Sequence, residues 1–193
     1  MPSDTRLRMV EGAALLLAKR GLQETSFSEV LELTGTPRGS IYHHFPDGKD
    51  QLVASALELA GERANAHMAS KAGSTPLEIT EHFLYLWREV LTRSKFSAGC
   101  SVLAVTVATD SPALLQDAAN VFRTWRATLA ALFGQGGMPA EEASAFATTL
   151  IAATEGAVVL ARAEQSLAPF EEVATYLLRT IAECGQSSPP RSL

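Results

Sequence analysis

Between Glu32 and Asp47 the chain carries no acidic residue. Inside that window stand Arg38, Ser40, Tyr42, His43 and His44, and Lys49 lies just beyond it. These side chains donate hydrogen bonds without adding fixed negative charge. A guanidinium can reach a guanine edge or a phosphate, and a hydroxyl, phenol or imidazole can donate to phosphate oxygens. The chemistry such a set suits is the docking of a polyanion. Gly39 among them would let the backbone come close to whatever it meets. His43 and His44 are adjacent, so they point to different sides of a helix, and no i, i+4 ligand accompanies them; metal ligation is not expected.

To act together these residues need one helix held at a set angle to another. Ser26-Phe27-Ser28-Glu29 has the spacing of a capping box. Val30, Leu31 and Leu33 follow, so the pattern predicts a helix over 27–34, closed by Gly35. Thr36-Pro37 opens the next helix. This is a helix-turn-helix layout, whose second helix would enter the major groove. Ile41 and Phe45, four apart, would anchor its inner face and leave Arg38, Ser40, Tyr42 and His43 outside. Asp47 or Gly48 would cap the following helix and put Lys49 in its first turn, where the helix N-terminus and the ammonium together would clamp a phosphate. Short helix pairs also occur in helical proteins that never meet a nucleic acid, and that alternative stays open on spacing alone.

The rest of the chain reads as helix. Pro37, Pro76, Pro112, Pro139 and Pro169 stand where helices start, and Thr75-Pro76-Leu77-Glu78 is a further capping box. Ser101–Val107 (SVLAVTV) is β-branched but would lack a partner strand, so a short buried helix is expected. The fold class is all-α, with about nine helices. The 193 residues are 47% hydrophobic and 19% charged, enough apolar mass for a core. The longest uncharged runs, Phe96–Thr109 and Ala127–Ala140, are 14 residues each, short of a bilayer span. No leader pattern opens the chain, and Cys100 and Cys184 are too few for a disulfide framework or a metal cluster; a cytoplasmic setting is expected. H-E-x-x-H, G-x-S-x-G and P-loop motifs are absent, and Gly134-Gln135-Gly136-Gly137 reads as a helix terminator with a loop. Enzymatic activity is therefore the least favoured class, and no cofactor is expected.

Thr25, then Gly35-Thr36-Pro37-Arg38-Gly39-Ser40-Ile41-Tyr42-His43-His44-Phe45, then Lys49-Asp50-Gln51-Leu52 resembles the TetR family of bacterial transcriptional regulators. The loop Phe45–Lys49 is one residue longer than the commonest family form. Together with Ala98-Gly99-Cys100-Ser101 and Glu155-Gly156-Ala157 it is similar to the LmrA/YxaF-like branch. The resemblance implies that Thr25 and Ser26 touch phosphate, that Thr36, Pro37, Arg38, Ser40, Tyr42 and His43 line a DNA face, and that His44 and Lys49 meet the backbone. It implies a three-helix head over 1–50 and a helical ligand-binding and dimerisation body over 51–185; the composition of the last residues, GQSSPPRSL from Gly185, points to a flexible tail, taken over 186–193.

In the body, Ala143, Ala147, Leu150, Thr154, Ala157 and Ala161 repeat with a 3.5-residue period. Phe170, Val173, Leu177 and Ile181 give the last helix its own stripe. The spacing fits either a seam inside the chain or a contact with a second copy; the resemblance favours a homodimer interface. It also implies an inducer pocket among the middle helices, where Phe83, Trp87, Phe122, Trp125 and Phe146 are candidates beside the plain reading as core. Glu155, in a largely apolar stretch, is either a pocket acid or an interhelical or solvated group. The expected function is a ligand-responsive regulator, by family default a repressor released from a palindromic double-stranded DNA operator by a small hydrophobic or drug-like inducer. The alternatives are a helical small-molecule-binding protein and an architectural DNA binder without an inducer response. No membrane partner is expected. Net charge is −5, and residues 1–60 hold six basic and eight acidic side chains. Any DNA contact must then be local and short, centred on the acid-free window.

Overall fold

The computed structural model describes residues 4–186, the side chains of 184–186 excepted. The described residues form nine α-helices and no strand: α1 (Asp4–Arg20), α2 (Phe27–Thr34), α3 (Arg38–His44), α4 (Lys49–Ala69), α5 (Pro76–Arg93), α6 (Ser101–Thr106), α7 (Pro112–Gln135), α8 (Ala140–Glu164) and α9 (Ala168–Gln186). The all-α expectation holds, and the β-branched SVLAVT run is the short helix α6. Most of the tail expected over 186–193 lies outside the described residues. Packing divides the chain into two compact units that are not continuous in sequence. Unit 1 takes the residues up to Ala64 together with Ala98–Arg123, and unit 2 takes Asn65–Ser97 and the residues from Thr124 onwards.

Unit 1 gathers α1, α2, α3 and α6 with the first parts of α4 and α7. Its core holds Met9, Leu17, Val30, Ile41, Phe45, Leu52 and Leu57, all at most 1% exposed. α2 is capped by the Ser26 hydroxyl, which accepts from the Glu29 N–H, and is closed by Gly35 at φ 62°. The left-handed backbone there is the reason a glycine ends the helix. Half of the expected capping box is missing, because the Glu29 carboxylate turns instead to Arg20 Nη1 at 2.5 Å. Gly12 lets α1 and α2 cross closely; a Cβ there would lie 2.6 Å from Thr34 Cγ2. Three polar ties bind α4 to the α1 region. Arg6 Nη2 donates to Ser55 Oγ at 2.9 Å, Lys49 Nζ donates to the Leu22 carbonyl at 2.7 Å, and Arg63 pairs with Glu11. α6 packs on α1 and is held at both flanks. The Gly99 N–H donates to the Ala18 carbonyl at 2.8 Å, and Gln23 Nε2 donates to the Ala108 carbonyl at 3.4 Å.

Unit 2 is built on α5, α8 and α9 with the latter part of α7. Thr75 and Glu78 form the full reciprocal capping box, with Pro76 in the first turn of α5. Gly136 explains the glycine-rich stretch, since a Cβ there would lie 2.7 Å from Pro76 Cδ. Phe133 and Phe146 meet edge-on at 5.3 Å between centroids. Arg88 grips Glu171 with two parallel hydrogen bonds of 2.5 and 2.7 Å, joining α5 to α9, and its guanidinium lies 5.7 Å from the Phe170 ring centroid.

The stripe expected at a partner interface belongs elsewhere. Ala143, Ala147, Leu150, Thr154, Ala157 and Ala161 are at most 2% exposed inside the single chain, where α8 packs against α9 and α5. On α9, Leu177 and Ile181 are buried with them and Val173 is half-buried. The physical reason is that α8 is apolar on both faces, so the period locates a seam without telling which seam it is. By length and composition α8 could cross a bilayer, and half of its most apolar window is buried inside the chain. The other half, with Ala145, Thr148, Ala152, Gly156, Val159 and Leu160, faces outwards. A Cβ on Gly156 would meet nothing within 4 Å.

Candidate nucleic-acid interface

α3 runs for seven residues from its cap at Pro37. Ile41 and Phe45 are fully buried, as their spacing requires, and Arg6 covers the Phe45 ring at 5.2 Å. The opposite side is open. Pro37, Arg38, Gly39, Tyr42 and His43 are exposed, and Ser40 and His44 are half-buried. Arg38 and Tyr42 are one turn apart, as are Gly39 and His43, so the exposed residues make one patch. The space above Gly39 is empty: a Cβ there would meet nothing within 4 Å. Nothing among the described residues therefore requires a glycine at this position, whereas Gly12 and Gly136 are required by close packing. Tyr42 stands 68% exposed, its ring edge-on to Phe27.

Three residues expected at the DNA surface make hydrogen bonds inside the chain. Thr25 is 1% exposed, and its hydroxyl donates to the Gly21 carbonyl at 2.8 Å, closing the α1–α2 turn. Thr36 is 6% exposed and its hydroxyl pairs with that of Thr34 at 2.9 Å. Lys49 is half-buried, with its ammonium on the Leu22 carbonyl. Leu22 also accepts the Thr25 N–H at 3.3 Å, so Lys49 braces the same turn that Thr25 closes. Hydroxyls and ammonium groups satisfy buried carbonyls as readily as phosphates, and residue type alone does not tell the two apart. Ser26 is half-buried and serves as the cap of α2.

Phe27 is the residue that the sequence pattern missed. It opens α2, fifteen positions from Tyr42, and only the crossing of α2 and α3 brings the rings together. No spacing rule within one helix reaches that far.

Of the residues expected to line a ligand pocket, Phe83, Trp125, Phe146 and Glu155 are buried in unit 2, and Trp87 is half-buried there. Phe122 is half-buried and falls in unit 1. The hydroxyl oxygen of Thr154, next to Glu155, is buried with no hydrogen-bond partner among the described residues. A surface cleft of unit 2 is lined by Lys71, Ser74, Glu78, Glu81, His82 and Tyr85, none of them in the expected set. Burial holds the His82 imidazole below its ordinary pKa, against the opposing pull of the His67 carbonyl. Among the described residues no group of three metal-ligating side chains is assembled.

The comparisons with known proteins converge on one family. Residues 10–56 match the family of bacterial regulatory proteins, tetR type, and residues 76–176 match the C-terminal domain of LmrA/YxaF-like transcriptional regulators. An uncharacterised HTH-type transcriptional regulator of Mycobacterium tuberculosis is 36% identical over 175 residues, covering 87% of this chain and 89% of that one. The HTH-type transcriptional regulator LmrA of Bacillus subtilis is 24% identical, covering 90% of this chain and 95% of its own. The crystal structure of a TetR regulatory protein from Rhodobacter sphaeroides superposes with a TM-score of 0.80 at 22% identity, over 92% of this chain and 98% of the other. An α3 whose outer face is open and free of acids, set on a helix-turn-helix inside an all-helical chain, agrees with these matches, and the chain belongs to the TetR family of transcriptional regulators.

Proposed function

We propose that the chain is a homodimeric, ligand-responsive repressor that docks α3 in the major groove of a palindromic operator. The observation that carries this reading is the exposed patch Pro37, Arg38, Gly39, Tyr42 and His43, which combines donors, no acid and an open approach over Gly39. Arg38 supplies base or phosphate contact, and Tyr42, His43, Ser40 and His44 supply backbone contacts. Lys49 holds the α1–α2 turn that carries Ser26 and Phe27. A two-fold dimer would set two such patches on successive grooves.

The exposed face of α8, with Gly156 at its middle, is the surface that would pair with a second copy, joined by Tyr176 on α9 at 59% exposure. Ala152, Gly156, Val159 and Leu160 give the outer face a stretch without charge, and such a surface calls for cover. The ligand site is assigned to unit 2, around Trp125, Phe146 and the buried Glu155, with the Thr154 hydroxyl able to take a hydrogen bond from a bound molecule. A ligand that prefers the released state lowers operator affinity through α4, which follows the helix-turn-helix directly and, like α7, has residues in both units. Working inside the cytoplasm follows from a DNA target, and no enzymatic step is assigned.

The test is selection of a duplex from a random pool by the full chain, followed by binding over a salt series. Arg38→Gln should weaken binding and shrink the slope of log K against log salt by about one. Lys49→Met should weaken binding and lower the melting temperature while leaving that slope unchanged. If no duplex is enriched, or Arg38→Gln and Tyr42→Leu bind undiminished, the docking assignment is wrong.

A further inference from the structure

The phenol of Tyr42 has a peculiar setting. It is 68% exposed on the outer face of α3, and among the described residues nothing inside the chain bonds its hydroxyl. An aromatic side chain so exposed should sample several rotamers. One contact restrains it: the ring centroid of Phe27 lies 5.7 Å away, with the planes at 83°. That is the edge-to-face arrangement that aromatic quadrupoles favour.

Phe27 is itself held in place. It is the first residue of α2, directly after the Ser26 cap, and the Ser26 hydroxyl accepts the Glu29 N–H at 3.2 Å. The Glu29 carboxylate is tied to Arg20 at the end of α1. Phe27 is half-buried within unit 1, and its ring meets that of Tyr42. The cap, the ion pair and the ring form a chain of contacts from the end of α1 to the tip of the outer face of α3.

We propose that Phe27 is a positioning residue for DNA docking: its ring selects the rotamer in which the Tyr42 hydroxyl points at the nucleic-acid backbone. The proposal rests on the reading that Tyr42 touches DNA. Prepaying the ordering of one side chain raises affinity without a new contact to the ligand. An aromatic pair of this geometry corresponds to about a two- to tenfold change in binding. Because neither side chain is charged, the gain should not alter the salt dependence.

A double-mutant cycle on the full chain separates this role from the others. The probe is a labelled duplex recovered by the unaltered protein from a random pool. Phe27→Leu should reduce affinity about two- to tenfold when Tyr42 is present and leave it unchanged in the Tyr42→Leu background. The salt slope should stay where it was, and the melting temperature should fall by no more than the few degrees that one lost aromatic contact carries. Phe27→Tyr, which restores a ring, should restore the affinity. In the free protein, the ring-current shifts of the Tyr42 protons should collapse in Phe27→Leu and return in Phe27→Tyr. Equal losses from Phe27→Leu in both backgrounds would overturn the positioning role while leaving the Tyr42 contact standing. Undiminished binding by Tyr42→Leu would overturn the contact and the inference together. Should Phe27→Leu melt early, Phe27→Met keeps the apolar volume without a ring, and the same cycle decides.

Discussion

At the scale of single residues, this protein distinguishes two kinds of glycine. Gly12 and Gly136 sit where a methyl group would strike Thr34 or Pro76, at 2.6 and 2.7 Å. Their replacement should strain the packing. Gly39 has open space above it, and in the first turn of a seven-residue helix it costs stability relative to alanine. Gly39→Ala is therefore expected to raise stability, by up to about 1 kcal/mol, and yet to weaken duplex binding. Thermal melting and a titration on the same sample check both halves. A rise in stability with unchanged binding would mean that DNA does not approach α3 over this position. The residue scale is also where sequence reading fell short. Thr25, Thr36 and Lys49 have the right chemistry for phosphate, but in the folded chain Thr25 and Lys49 bond the carbonyls of Gly21 and Leu22 in the α1–α2 turn, and Thr36 bonds the Thr34 hydroxyl in the α2–α3 turn.

At the scale of elements, the helices were legible because their signals are local. Thr75-Pro76-Leu77-Glu78 caps α5 as its spacing requires, Gly35 ends α2 in a left-handed turn, and Ile41 and Phe45 point inwards. What one element does to another was less legible. Glu29 has the position of a capping-box acid but answers Arg20 across the α1–α2 turn. The pairing of Arg88 with Glu171, 83 positions apart, leaves no mark in any sequence window. That pair gives a pH-dependent prediction. The Arg88 hydrogen bonds hold the Glu171 carboxyl below its ordinary value of 4.5, against the opposing effect of burial. A carboxylate with a depressed folded pKa adds stability that is complete above its unfolded value and is lost as pH falls through its folded value. Both side chains keep a substantial share of their surface in water, 32% and 41%, so the contribution should be about 0.5–1 kcal/mol. Glu171→Gln should thus melt earlier than the unaltered chain at pH 7, and the gap should close as pH drops below about 4.5. A gap that persists at low pH would assign the effect to packing on Phe170 in place of charge.

At the scale of the whole molecule, the two faces of α8 have different tasks. One is the seam with α5 and α9, and substitutions such as Ala147→Glu should unfold unit 2. The other carries Val159 and Leu160, 51% and 49% exposed, beside Gly156. If the proposed dimer forms through that face, Val159→Glu should leave the helical content intact and give a monomer, read by sedimentation. If the variant sediments as the unaltered chain does, the second copy docks elsewhere. The periodicity of small residues in α8 did mark a helix seam, but an amphipathic pattern needs a continuous polar face to be read unambiguously, and the polar residues of the outer face give way to Ala152, Gly156, Val159 and Leu160.

The anchoring of α6 bears on how such proteins can be recombined. Gly99 and Ala108, which flank α6, are bonded to Ala18 and Gln23 near the end of α1, so the helix on which the helix-turn-helix packs also rests on a segment from the middle of the chain. A chimera that borrows its operator preference by exchanging only the first 50 or so residues would bring a foreign α1 against the resident α6. The exchangeable module is discontinuous: the N-terminal helices must travel with Ala98–Arg123, or the graft inherits a mismatched floor beneath its reading head.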